Sequence, residues 1–366
     1  MLKIGAAFSM LKRIEIDSYM DGYNFSQIDC FNIPIAAITG FFNYNNYFYY
    51  CFYITVLLNW GDKKNKDFID GRNEILGKLG IKMTEHKIVH DSELIPFIKN
   101  SIDKSIPLFL ISDYTSLFYT SAYLRDDSSK HGIIISGYDS NKQIIAFNET
   151  KTVDLQIHTE TKKYFNGNPL FIMLLKEEQV IEIWNTRNKH FEESSKEMIN
   201  IIYSFEKYKE AEINCYEEMV YDFIKIYKPE NDNLIDFLND FSNIREKIKN
   251  GTTPMWALQR DLYGSLEAFF GGIEIGLKNA GFKGELNDFN MFKEQYRNKR
   301  TKILSRLHAY ALREKDINIE MREGMIVEIK IKNKELENFV QYWYEIIKQN
   351  NKLKLEQNTG LVNYAL

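Results

Sequence analysis

Cysteine is scarce in this chain. Three in 366 residues, Cys30, Cys51 and Cys215, are too few and odd in number for a disulfide framework. Such sparse usage points to a reducing, cytoplasmic setting. A surplus of basic charge is also missing. Lys and Arg number 47 against 51 Asp and Glu, for a net charge of -4. Nothing in that balance would neutralise a phosphate backbone, which argues against nucleic acid as a partner. Long apolar runs are lacking as well. The longest uncharged stretch, residues 30–61, is broken by Asn32, Pro34, Asn43, Asn45, Asn46 and Asn59. A spanning helix needs about 20 predominantly apolar residues, so two buried elements are expected there and no membrane. The first residues, "MLKIGAAFSMLKR", return to charge too soon for a secretory signal. No internal repeat is evident.

What is present is the composition of an ordinary globular protein, 44% hydrophobic and 27% charged. Its length suggests about two domains. The pattern divides near residue 176. Before it, helices and strands alternate. A helix is expected over 30–45, with Pro34 tolerated in its first turn. "CFYITVLLNW" is buried but of uncertain type. "NKDFIDGRNEILGKLG" reads as a helix closed by Gly80. "KMTEHKIVH" reads as a strand, "DSELIPFIKNSIDKS" as a helix capped by Asp91 or Ser92, and "IPLFLIS" as a strand. A loop rich in Tyr, Ser and Thr comes next, from Asp113 to Tyr123. "HGIIISGY" and "KQIIAFN" then form the clearest hairpin, turning on "DSN". "NPLFIMLLK" is a further core strand. After residue 177 charged helical patterns dominate. Met198, Ile202, Phe205 and Tyr208 recur at helical spacing, and Pro229 ends that stretch. Further helices are expected over 231–249, 253–280, 286–312 and 335–352. "INIEMREGMIVEIKIKN" fits either a hairpin or the start of a long helix. The fold class is α+β: an antiparallel-sheet domain over residues 1–176, then a mostly α-helical region over 177–366.

Thiolate chemistry needs a cysteine of lowered pKa and a nearby base. Cys30 lies just before an apolar helix, where unpaired amides and the helix dipole favour a thiolate. Cys51 lies in an apolar run and Cys215 in a helical pattern, so both read as packed thiols. Of six histidines, His131 opens a strand directly after a polar loop, where a side chain can face a cleft. His86 and His90 would lie about 13 Å apart along one strand face, too far to share a metal. His158, His190 and His308 read as surface or packing residues.

A third group should orient the imidazole. Asp139 is about 26 Å along the strand from His131, too far to serve. The hairpin returns residues 148–150 to His131 instead. With Tyr138 opposite Gln143, or with Asp139–Ser140 as the turn, Asn148 shares the His131 face. A slip of one residue would select Glu149. Oxyanion donors could be the Cys30 amide and the side-chain amides of Gln27 or Asn24. Those two could equally be capping or turn residues.

The order Cys, His about 100 residues later, then Asn resembles papain-fold cysteine enzymes of the C39-like type. "PLFLISDYTSLFY" and "HGIIISGYD" are similar to the butirosin-biosynthesis protein H N-terminal family. "TTPMWALQRDL" and "FKEQYRNKRTKIL" resemble the helical region that comes after it in such proteins. The resemblance implies a Cys30–His131–Asn148 triad and no cofactor. It implies an acyltransferase in natural-product assembly, moving an acyl or peptidyl chain from a carrier-protein thioester to an amine. A related clostridial type releases thioamidated chains onto a diamine, as in closthioamide-like products. The pattern departs at the oxyanion position: the usual Gln six residues before the Cys is Asn24 here, with Gln27 only three before. A C39-like peptidase or amidase, or a non-catalytic binding protein of the same fold, would share these residues.

Overall fold

The computed structural model describes residues 11–16, 31–60, 70–120, 123, 130–150, 170–194, 196–212, 216–249, 269–271, 273–274, 277–278, 282–313 and 315–362. The chain divides into two compact units, residues 1–51 with 73–212 and residues 52–72 with 213–366.

The first unit is built on an antiparallel sheet. Its strands are β1 (Lys12–Arg13), β2 (Ile81–Lys87), β3 (Leu108–Asp113), β4 (Lys130–Asp139), β5 (Ile144–Thr150), β6 (Leu170–Lys176) and β7 (Ile201–Lys207). Their order is β2-β7-β3-β4-β5-β6, with β1 pairing β4. Helices α1 (Asn32–Phe42), α4 (Asp91–Asp103) and α5 (Glu177–Ser194) accompany them, while α2 (Tyr44–Trp60) and α3 (Asp70–Lys78) each include residues of both units. Among the described residues the architecture is thus α+β with an antiparallel sheet.

The inner strands are apolar because both faces are covered. In β3 all six residues are buried, and in β7 the first five are. A strand buried on both faces loses its alternation. That is why the 196–208 stretch reads as helical in sequence and folds as β7. By pairing between β2 and β3, β7 carries the first unit to Glu212 rather than to residue 176. α2 resolves the ambiguity of "CFYITVLLNW" as helix. From Tyr47 to Ile54 every side chain is at most 4% exposed, the signature of a helix apolar all round. Gly80 closes α3 at φ +70, where an added Cβ would meet the Lys209 carbonyl oxygen at 2.3 Å. α4 begins after His90, and neither Asp91 nor Ser92 is its N-cap.

Arg187 of α5 is fully buried. Its guanidinium donates to the carbonyl oxygens of Ile111, Met198 and Ile201 at 2.9, 3.1 and 2.9 Å and lies over the Trp184 ring. Burial lowers it to about 9, so it stays charged at neutral pH and fastens α5 to β3 and β7.

The second unit is helical: α6 (Tyr216–Ile226), α7 (Asn233–Asn239), α8 (Phe241–Lys249), α9 (Lys283–Leu312) and α10 (Ile319–Val362). The ambiguous "INIEMREGMIVEIKIKN" belongs to α10. Met325, Ile329, Asn333, Leu336, Val340, Trp343 and Ile347 are buried along that helix, spaced three or four apart as a helix face requires. Among the described residues no helix is long and apolar enough to cross a membrane.

Candidate active site

The candidate site is assembled on β3, β4 and β5. Just after β3 the chain is tied into a compact turn by its own polar side chains. The Asp113 carboxylate accepts from the Thr115 amide at 2.8 Å and the Thr115 hydroxyl at 2.6 Å. This is the local Asp bond that favours turns over strand continuation. Ser116 donates to the Asp113 carbonyl at 2.7 Å, and Thr120 donates to the Tyr114 and Leu117 carbonyls at 2.9 Å each. Ser112 and Ser116 exchange a further bond at 2.9 Å. The segment presents two tyrosines. The Tyr114 ring stacks on the His131 imidazole with centroids 4.5 Å apart and planes 30° apart. The Tyr119 hydroxyl donates to Oε2 of Glu149 at 2.8 Å.

His131 lies near the start of β4, directly across from Ser112 of β3. Its side chain is fully buried, and so is that of Glu149 on β5. His131 Nε2 and Glu149 Oε1 share a short hydrogen bond. The two carboxylate oxygens of Glu149 are therefore divided between an imidazole and a phenol. Burial first, then the Glu149 charge and the bond to it, push the Tyr119 phenol well above its ordinary 10.0. Tyr119 is a hydrogen-bond donor throughout the neutral range.

Asn148, which the sequence placed on the His131 face, is elsewhere. Asp139 pairs with Ile144 across a four-residue loop, and continuing that register would set Asn148 opposite Ile135, on the His131 face. A β-bulge between Ile135 and Gly137 intervenes, so Asn148 pairs with Ile134. One extra residue on β4 exchanges the faces of everything beyond it. The bulge brings Glu149 to His131. Asn148 accepts from the Ser136 hydroxyl and donates to the Ile16 carbonyl at 3.4 Å, a structural tie. The bulge is held from the other edge, where the Ile14 amide donates to the Ser136 carbonyl at 2.7 Å. Gly137 permits that approach, since a Cβ there would lie 2.7 Å from the Lys12 carbonyl oxygen.

Cys30, Gln27 and Asn24 lie outside the described residues, as do Cys215 and His158. α1 begins two residues after Cys30 and packs against β4 and β5, the strands bearing His131 and Glu149. Asn32 of its first turn accepts from the Tyr50 hydroxyl at 2.8 Å. Cys51 is fully buried in α2, and burial pushes its thiol well above 9.0, which makes it inert. Asp139 caps its own turn through the Asn141 and Lys142 amides. His86 meets the Ser204 hydroxyl at 2.8 Å and packs against Phe97, while His90 precedes α4. Among the described residues no cluster of three metal-ligating side chains forms.

In the sequence Tyr114 and Tyr119 read as members of a Tyr-rich loop that could wall a pocket, with no individual role. "DYTS", an Asp two residues before a Thr, was the available signal for the turn that places them. The chain matches no protein-family model. No curated protein matches it either.

Proposed function

We propose that this chain is a cysteine-dependent acyltransferase of papain-like, C39-like architecture. Cys30 is the nucleophile, His131 the base, and Glu149, in place of Asn148, the group that orients the base. One observation carries the reading: a fully buried imidazole is bonded to a fully buried carboxylate on the adjoining strand. Buried titratable pairs of this kind concentrate at functional sites. The helix starting just after Cys30 packs on the same two strands, which supports including the thiol.

With Nε2–H donating to Glu149, Nδ1 is the nitrogen that serves the thiol. Cys30 gives its proton to Nδ1, and the thiolate attacks a thioester carbonyl. The tetrahedral oxyanion is met by the Cys30 amide and by Gln27 or Asn24. As it collapses, the carrier thiolate leaves and takes the proton from Nδ1, and an acyl-Cys30 remains. An amine then attacks that acyl group. Nδ1 accepts the amine proton, the amide departs, and the Cys30 thiolate is regenerated with the imidazolium. The Tyr114 face supports that imidazolium through a cation–π contact, and Glu149 offsets its charge. Exclusion of water favours the amine over hydrolysis. The donor is an acyl or peptidyl carrier protein, the acceptor a small amine or diamine, and the setting is the cytoplasm.

The test is mass spectrometry of the intact protein with an acyl-pantetheine thioester, then with added diamine. The expected result is an acyl adduct on Cys30 that amine discharges as amide faster than water discharges it as acid. Release of acid alone supports a peptidase or amidase. Absence of an adduct, with amide formation intact in Cys30→Ala, overturns the proposal.

A further inference from the structure

We propose that Tyr119 is a positioning residue for the base: its hydroxyl holds the Glu149 carboxylate so that His131 is fixed as the Nε2–H tautomer. This rests on the reading of His131 as the base for Cys30.

A carboxylate side chain can rotate and offer either oxygen to the imidazole. Tyr119 removes that freedom by engaging Oε2 at 2.8 Å while Oε1 meets His131. Tyr119 is itself 4% exposed. Its backbone is anchored on both sides, because Thr120 bonds the Tyr114 and Leu117 carbonyls and Asp113 caps the preceding turn. The same turn presses Tyr114 onto the imidazole face. The segment thus grips the dyad at two points, one on the histidine and one on the carboxylate. The raised pKa of the phenol keeps the proton on Tyr119, so its hydroxyl remains able to donate to Glu149.

Among the described residues, the charged groups on the elements packed against β5 can be named. β4 presents His131. α1, packed on β5, contains no charged residue. β6 carries only Lys176, at the far end of its pairing with β5, opposite Ile144. From α5, the buried Arg187 is committed to three backbone carbonyls. Glu178, Glu182, Lys189 and Glu192 are exposed, and Glu177 and His190 are half-buried. Tyr119 gives Oε2 of Glu149 a buried hydroxyl donor beside the His131 bond to Oε1. Removing a hydrogen bond to a buried acid group loosens its orientation and costs more than losing an exposed one.

The experiment compares the full-length wild type with Tyr119→Phe, Glu149→Gln and the double variant. One readout is the pH dependence of Cys30 alkylation by iodoacetamide. The second is the 15N spectrum of the histidine side chains, with His131 assigned by its loss in His131→Gln. Tyr119→Phe is expected to move the acid limb of alkylation upward by about one pH unit. It is also expected to turn a single His131 tautomer into a mixture. In the Glu149→Gln background the same change should alter alkylation less than about twofold, because residues that act through one another are not additive. A Tyr119→Phe protein that melts earlier but keeps limb and tautomer overturns the proposal, since it shows packing alone. Equal effects in both backgrounds overturn it too. If wild-type Cys30 alkylates no faster than Cys51, the acyltransferase reading fails, and the tautomer spectrum still decides the role of Tyr119.

Discussion

Two buried polar networks, one in each unit, differ in the nitrogen group at their centre. In the helical unit Arg300 of α9 meets Asp232 at 2.6 Å, with side chains 4% and 1% exposed. Asn333 of α10 donates to Asp232 at 2.8 Å and to the Pro229 carbonyl at 3.1 Å, and accepts from the Tyr296 hydroxyl at 2.6 Å. Tyr227 donates to the Asn333 carbonyl at 2.9 Å, and the Leu234 amide to Asp232 at 2.7 Å. In the sheet unit His131, Glu149 and Tyr119 form a smaller chain of the same kind. A guanidinium does not release its proton at working pH, whereas an imidazole does. The first network can therefore only hold structure. The second has at its centre a group of a kind that exchanges protons near neutral pH.

The comparison breaks most visibly at the proposed nucleophile. Cys30→Ala should lower amide formation by at least about 10³-fold, and His131→Ala by a similar factor, measured as turnover of an acyl thioester. Asp232→Ala should leave turnover unchanged but cost about 3–5 kcal/mol, because it strands a buried guanidinium. Urea unfolding reads that loss. Glu149→Gln should lower turnover about 10²-fold. Asn148→Ala should leave the rate per folded molecule intact and cost about 1–2 kcal/mol for its broken ties. The reverse pattern for those two would restore Asn148 as the partner of His131.

The smallest effect concerns acid. Burial alone would raise the Asp232 carboxyl. The Arg300 charge, with bonds from Arg300, Asn333 and the Leu234 amide, outweighs burial and brings it below its ordinary 3.8. A depressed folded pKa contributes stability that is complete above the ordinary value and is lost as pH falls through the folded one. The Asp232 contribution should therefore be constant from pH 7 to about 5, fall as pH passes below the ordinary 3.8 and be lost only beneath the folded value. Urea titrations of wild type and Asp232→Asn across that range should converge only in acid.

Much of this was legible in the sequence, and the exceptions have physical causes. The hairpin of β4 and β5 announced itself through β-branched runs around a turn cluster. Its facing did not, because the bulge at Ser136 is fixed by the Ile14 amide and by the room that Gly137 leaves for Lys12. Those contacts join residues more than a hundred positions apart. β7 was hidden because an interior strand has no alternating face, and its apolar residues mimic helical spacing. The stripe on α10 was readable as helix once "INIEMREGMIVEIKIKN" is joined to the apolar positions Leu336, Val340, Trp343 and Ile347. Asn333, the polar residue in that stripe, is its network member. At the site, His131 was legible from its place after a polar loop. Glu149 was legible only as the outcome of a one-residue slip.

The central claim is that the His131–Glu149 pair activates Cys30, and Cys51 supplies an internal reference for it. Iodoacetamide labelling at pH 7, read cysteine by cysteine, tests it most directly. Cys30 should label at least about 10²-fold faster than the buried Cys51, and His131→Ala should remove most of that excess. Labelling of Cys30 no faster than Cys51, or an excess that persists in His131→Ala, would contradict the account.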